Sequence, residues 1–404
     1  MSAVIEETVR NAPSYGPERA QGRAAWADNL RLAVVALVIA HHSVEPYASP
    51  SAFFIDLPGA RVPGLWAFLS VNAAFFMGLM FFLAGAFTPQ AYDRRGWANY
   101  LRGRFLRIGA PLLLGFLILI PAEGYFYHWA YRPLPGVGYW EYFVRDFLGH
   151  GTRPADWRET RWPEESFGHL WFLEHLLIYA VAYVAARLLA GNRIRLPRLP
   201  PPRHAALIVF AAALTIATYL IRRVYPQDDW VAWLGFVQVE PAHLPQYASL
   251  FAVGLLAARG NWFVEMPSGR AFAWLTLAVA LAVGLYAFAG LGLIGGWNAQ
   301  SLARCAWEST LCVGMAVGAP IAFRDYVNRQ GPKLRMVSQG SYAAYVLHFP
   351  IVRAIQWKLI ALGWPLVVDA LFTSVAAILA TFALTAALIW ASKFAAVETR
   401  RALA

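Results

Sequence analysis

Apolar runs approaching the length of a membrane span recur along this chain, separated by short polar or arginine-bearing stretches. Ten can be drawn, at about 29–47, 66–91, 108–130, 169–190, 205–222, 246–259, 271–294, 302–323, 341–357 and 366–392. A helix crossing the hydrocarbon core needs about 20 residues, whereas a barrel strand needs about 9–11. Helices also satisfy their own backbone groups in lipid. The pattern therefore predicts an all-α polytopic membrane protein with about ten transmembrane helices in one bundle. Two runs are less regular: 246–259 is short, and 341–357 contains Pro350 and Arg353.

Composition supports that reading. Of the 404 residues 59% are hydrophobic and 14% charged, whereas soluble domains carry about 25% charged residues. The formal net charge of +11 comes from basic residues scattered between the apolar runs. That distribution sets orientation in a bilayer rather than forming a nucleic-acid surface. With the N-terminus in the cytoplasm, the cytoplasmic side holds Lys and Arg in roughly two-to-one excess. Both termini are then expected inside a cell's inner (plasma) membrane. Residues 1–25 read as a flexible cytoplasmic tail, 26–392 as the membrane domain and 393–404 as a second cytoplasmic tail. The outer loop 131–168 carries Trp140, Trp157 and Trp162. Such aromatics suit either a sugar ring or the membrane interface. Only two cysteines are present, Cys305 and Cys312, seven apart on one predicted helix and best read as packing. No metal-ligand spacing, phosphate loop, nucleophile elbow or dinucleotide fingerprint stands out, so neither a metal nor a permanently bound cofactor is expected.

Chemistry begins in the first run, DNLRLAVVALVIAHHSVEPY, from Asp28 to Tyr47. Arg31 and His42 are eleven residues apart, about three helical turns, and share a face. His41 lies roughly 80° away on the same helix. Glu45 follows His42 by three residues, where it can hydrogen-bond the imidazole and fix its tautomer. Arg31 also fits a snorkelling anchor and His42 an interfacial polar group. Ionisable groups aligned inside a membrane helix usually line a cavity, however, and that favours a functional role.

Three more stretches carry candidates. In YLRGRFLRIGAPLLL, Arg104 and Arg107 are three apart at the cytoplasmic entrance of the third run, and paired guanidiniums suit phosphate or carboxylate groups. The same arginines also serve as a topology signal. GHLWFLEHLLIY brings His169 and Glu174 to the outer end of the fourth run, and SQGSYAAYVLHFPIVR places Ser341, Tyr345 and His348 on one helical face.

Together these stretches resemble the membrane acyltransferase 3 family. Asp28, Arg31 and His42 resemble its first-helix pattern; FFLAGAFTPQ resembles F-F-x-x-S-G-F, with Ala84 where a serine often stands. Arg104, Arg107 and Pro111 resemble its R-x-x-R motif followed by proline, and SYAAYVLHFP a late S-Y-x-x-Y-x-x-H segment. HLWFL and RFLRIGAP look most like the branch that includes glucan biosynthesis protein C. The resemblance spans about 26–390 and implies transfer of an acyl group, acetyl or succinyl, from acyl-CoA to a carbohydrate or glucan hydroxyl at the outer face. Under that expectation Arg104 and Arg107, supported by Arg31, hold the donor. His42, with Glu45 behind it, acts as general base or acyl-carrying nucleophile. His169, Glu174, Tyr345 and His348 are acceptor-side candidates. A transporter of a lipid-linked or acidic solute is the rival from another class, because ten spans and a charged channel suit it equally.

Overall fold

The computed structural model describes residues 25–48, 55, 57, 61–62, 64–132, 134, 136–155, 157, 162–191, 197–235, 237–287 and 296–402. Nearly all of the expected N-terminal tail lies outside them, as does the stretch 288–294 of the seventh run.

Helix α1 (Ala25–Ala48) covers the first run. The second and third runs join into one helical stretch, Leu65–Tyr131. It comprises α2 (Leu65–Arg104), α3 (Ala110–Leu114) and α4 (Ile120–Tyr131), linked by π turns at Phe105–Gly109 and Gly115–Leu119. The turning point is Gly96, whose φ of 72° and ψ of 167° leave the helical region. Arg104 hydrogen-bonds the Thr88 hydroxyl sixteen residues back, a span of about 24 Å in a straight helix; the chain must therefore fold back at Gly96. Each π turn is followed within two residues by a proline, Pro111 or Pro121. A proline has no N–H to continue the helical ladder, and the helix widens instead.

The remaining helices are α5 (Trp171–Leu189), α6 (His204–Arg222), α7 (Leu244–Arg259), α8 (Ser268–Ala287), α9 (Ala299–Tyr326), α10 (Pro332–Gln339), α11 (Ser341–Ile360) and α12 (Leu366–Ala402). α11 runs through Pro350 without interruption, and α12 continues across the expected C-terminal tail. The expectation of helices alone needs one correction. Val231–Trp233 (β1) pairs antiparallel with Val237–Val239 (β2) in the connection between α6 and α7. Leu234 and Gly235 take positive φ at its turn, the backbone geometry that tight hairpins require.

Five helical segments among the described residues are long and apolar enough to cross a membrane: Leu65–Tyr131, Gly168–Leu189, His204–Arg222, Ala299–Tyr326 and Leu366–Ser392. The expected ten are not reached by that measure. The first segment holds two of the expected runs, α7 has only 16 residues, and α1 and α11 carry charged side chains in mid-helix.

Burial is inverted relative to a water-soluble fold. Leu113, Ile118, Val209, Leu371 and Leu379 are exposed. Glu123, His348, Arg222 and Glu308 are buried. This arrangement suits lipid outside and polar chemistry within. Cys305 and Cys312 are buried and free. α2 and α7 cross at backbone contact: a Cβ at Gly85 would strike the Phe251 carbonyl, and one at Gly254 the Phe82 carbonyl. Small residues permit such close helix approach.

One end of the bundle is rich in arginine. There Asp93 accepts from Arg187 (3.2 Å) and Arg259 (2.6 Å), and Asn29 ties α1 to the Val327 carbonyl after α9 (2.6 Å). At the opposite end lie the hairpin strands and the described residues of the connection 132–167. Its three tryptophans part company: Trp140 is exposed, Trp162 is half-buried, and Trp157 is buried against His128 at 5.1 Å.

Candidate active site

The two adjacent histidines of α1 face different helices. His41 packs on Phe76 of α2 (5.1 Å between rings), whereas His42 meets His348 (5.4 Å) and Phe349 (5.1 Å) of α11. Glu45 Oε2 lies 3.2 Å from His42 Nδ1, the contact expected from the three-residue spacing. The same oxygen accepts from Arg353 Nη2 at 3.1 Å. Arg353 Nη1 donates to Gln356 Oε1 (2.6 Å), and Gln356 Nε2 donates to the carbonyls of His42 (3.0 Å) and Ser43 (2.9 Å). Local sequence explains the need for Gln356. Pro46 stands four residues after His42 and has no N–H to bond its carbonyl. A side chain from α11 fills the gap.

Arg353 thus uses a fork, one arm to Glu45 and the other to Gln356. Lysine offers a compact charge without that geometry. Arg353→Lys is expected to lower turnover by about tenfold, with the apparent affinity for the acyl donor unchanged. Steady-state kinetics on purified protein decides it; a raised donor KM at constant kcat would remove Arg353 from the positioning of Glu45.

Hydrogen bonding fixes two further imidazoles. His348 Nδ1 lies 2.6 Å from the Tyr345 carbonyl, which can only accept. The proton therefore sits on Nδ1, and Nε2 carries a lone pair. That Nε2 is buried and meets no hydrogen-bond partner among the described residues. His169 Nε2 donates to the Val346 carbonyl at 3.0 Å, leaving Nδ1 as its lone pair, 3.7 Å from Glu123 Oε2. The Tyr345 hydroxyl donates to the His169 carbonyl, and Phe349 stacks on the His169 ring at 4.8 Å. Imidazoles from α1, α11 and the 3₁₀ turn Gly168–Leu170 therefore gather around Phe349. His42 remains reachable, with 22% of its side chain exposed.

At the arginine-rich end, Arg31 donates to Asp28 (3.0 Å) and lies over the Phe87 ring at 4.6 Å. Arg104 donates to Thr88 Oγ1 (3.3 Å) and lies 5.2 Å from the Tyr100 ring. These two arginines reach consecutive residues of α2, while Arg107 is exposed. Arg31 and His42, although aligned along α1, lean on different helices, α2 and α11.

A sequence model for the acyltransferase domain that defines the acyltransferase 3 family matches residues 24–391. The chain belongs to the acyltransferase 3 family. No curated protein and no solved structure matches it. It is an acyltransferase of the membrane, and its chemistry requires an acyl donor and an acceptor.

The structure gathers His42, Glu45, His169, Tyr345 and His348 of this acyltransferase into one cluster. Glu174 stands elsewhere. Its Oε2 accepts from the Gln238 N–H (3.3 Å), while the neighbouring His175 Nε2 donates to the Gln238 carbonyl (3.0 Å). This pair holds β2 rather than joining His42. Sequence reasoning overlooked Glu123, Gln356 and Thr88, and read Arg353 only as an irregularity in a span. One signal was available for Arg353: an arginine within an apolar run needs a buried partner, and Glu45, already assigned to His42, was a carboxylate that could serve both.

Proposed function

We propose that this acyltransferase moves an acetyl or succinyl group from acyl-CoA to a carbohydrate hydroxyl, such as that of a glucan, at the outer face of the cell's inner membrane. Ten helical passes with both termini in the cytoplasm complete the reading, because they place the arginine-rich end inside. The observation that carries the mechanism is the hydrogen-bonded series Arg353–Glu45–His42 beside the lone pair of His348.

His42 Nδ1 donates to Glu45, so Nε2 is free to take the proton of the acceptor hydroxyl. The hydroxyl oxygen attacks the thioester carbonyl, a C–O bond forms and the C–S bond breaks. The imidazolium then returns its proton to the CoA thiolate. Glu45 stabilises the imidazolium, and Arg353 keeps Glu45 charged and in place. His348 packs its buried ring against His42 and orients it, with His169 and Tyr345 fixing the surrounding rings. Glu174 supports the hairpin on the acceptor side.

Arg104 and Arg107, with Arg31 nearby, receive the phosphates of CoA. His42 lies about 16 Å along α1 from Arg31 by helical rise, a distance comparable to an extended pantetheine arm. Arg104→Ala and Arg107→Ala are expected to raise the donor KM by about tenfold each without changing acceptor choice. An unchanged dependence of rate on acyl-CoA would return both residues to a topological role. The decisive test incubates purified protein with labelled acetyl-CoA or succinyl-CoA and a glucan. CoA release with label on the glycan supports the reading, whereas label on another acceptor or no CoA release overturns it.

A further inference from the structure

A cavity of about 830 Å³ opens between α6, α7 and α9, away from His42. Its walls are apolar, including Phe210, Val253, Phe263 and Val317, and Phe82 of α2 lines it as well. One wall is the chain segment Leu199–Pro202. That segment is held by Trp262 Nε1 on the Leu199 carbonyl (2.8 Å) and by Arg270 Nη1 on the Pro202 carbonyl (2.9 Å). A volume in this range suits a small-molecule ligand, typically about 300–1,000 Å³.

The polar residues among the lining mark one rim. Arg203 immediately precedes α6, Arg270 lies in the first turn of α8, and Glu265 precedes α8. The Arg203 guanidinium is exposed and makes no hydrogen bond or ion pair among the described residues. Arg270 commits only Nη1. Two arginines and one glutamate leave a net charge of one positive at the rim, opposite the single negative charge of a phosphodiester. Trp262 at the same level is the residue type that sits among lipid headgroups. Apolar walls below a basic, aromatic rim match the division of a phospholipid into chains and headgroup. A soluble anion would gain nothing from the walls, and a neutral hydrocarbon nothing from the arginines.

We propose that this groove is a binding site for one anionic phospholipid. Its phosphate lies between Arg203 and Arg270 and its acyl chains lie along Phe210, Val253, Phe263 and Val317. The site is distinct from the acyl-transfer centre and does not depend on the substrates proposed above.

Native mass spectrometry of the full chain in detergent, titrated with phosphatidylglycerol or phosphatidylethanolamine, tests it. Wild-type protein is expected to retain one phosphatidylglycerol. Arg203→Glu should weaken that retention by about tenfold or more, since charge reversal both removes the attraction for an anionic headgroup and adds a repulsion. It should affect phosphatidylethanolamine less. Val317→Trp, which fills the groove, should reduce both lipids while leaving monodisperse, folded protein. Equal lipid retention by wild type and Val317→Trp would overturn the assignment. So would complete displacement of the lipid by inorganic phosphate, which would mark a free-anion site. Arg203→Glu should keep near wild-type acyl transfer; a raised donor KM in that variant would overturn the separation by assigning the rim to the acyl donor.

Discussion

Replacing His42 by alanine is expected to reduce acyl transfer by about a hundred- to ten-thousandfold, the range typical of losing a positioned general base. The substitution removes the ring that Glu45 orients and leaves Glu45 bound to Arg353 at 3.1 Å. The carboxylate therefore keeps a charged partner, and α1 keeps its tie to α11. Gln356 still caps the carbonyls at positions 42 and 43, because those bonds are to backbone. The variant should insert and unfold like wild type, so its loss of rate belongs to chemistry. His41→Ala is the matched comparison: it sits next door but packs on Phe76 and should retain most activity. CoA release measured on both proteins at saturating donor separates them. Near-normal turnover in His42→Ala, or equal losses in both, would remove His42 from the proton transfer.

The largest expected effect on stability lies far from that ring. Glu308 of α9 receives both arms of Arg222 from α6, each at 2.8 Å, and His243 Nε2 at 2.8 Å. His243 Nδ1 in turn lies 2.7 Å from Glu240, whose Oε1 accepts the Asp228 N–H at 3.0 Å. One carboxylate thus joins α9 and α6 to the connection carrying the hairpin. Arg222 is 1% exposed. Removing one partner of a buried ion pair typically costs about 3–5 kcal/mol, because the other charge stays buried without compensation. Glu308→Ala should therefore lower the midpoint of thermal unfolding in detergent markedly. Glu308→Gln keeps an acceptor oxygen and the side-chain volume and should lose less. Equal midpoints for wild type and Glu308→Ala would show that water already compensates Arg222.

The helical, membrane-embedded character of the chain was legible in the sequence because lipid imposes its requirement locally. An apolar run must satisfy its own backbone, and its length alone announces it. The His42–Glu45 contact was legible for a similar reason, since a three-residue spacing on one helix fixes proximity without reference to the rest of the fold. Arg353 and Glu123 were not. Their partners come from other helices, and nothing in the local pattern of α11 or α4 names them. The hairpin 231–239 was missed because two three-residue strands give too little alternation to read. The reversal at Gly96 was expected only as a gap between spans, since a single left-handed glycine inside an otherwise helical stretch leaves no hydrophobic signature.

Sequence by itself determined the apolar helices, the arginine-rich ends of several of them and the motif set that marks an acyltransferase. Tertiary structure alone decided which helix each ionisable side chain faces. It sent His42 to α11 and Arg31 to α2, and it assigned Glu174 to the hairpin. The physical reason is geometric: helical periodicity fixes the angle of a side chain about its own axis. Its partner depends on how neighbouring helices rotate and cross, and contacts as specific as the glycine crossing of α2 and α7 set that rotation.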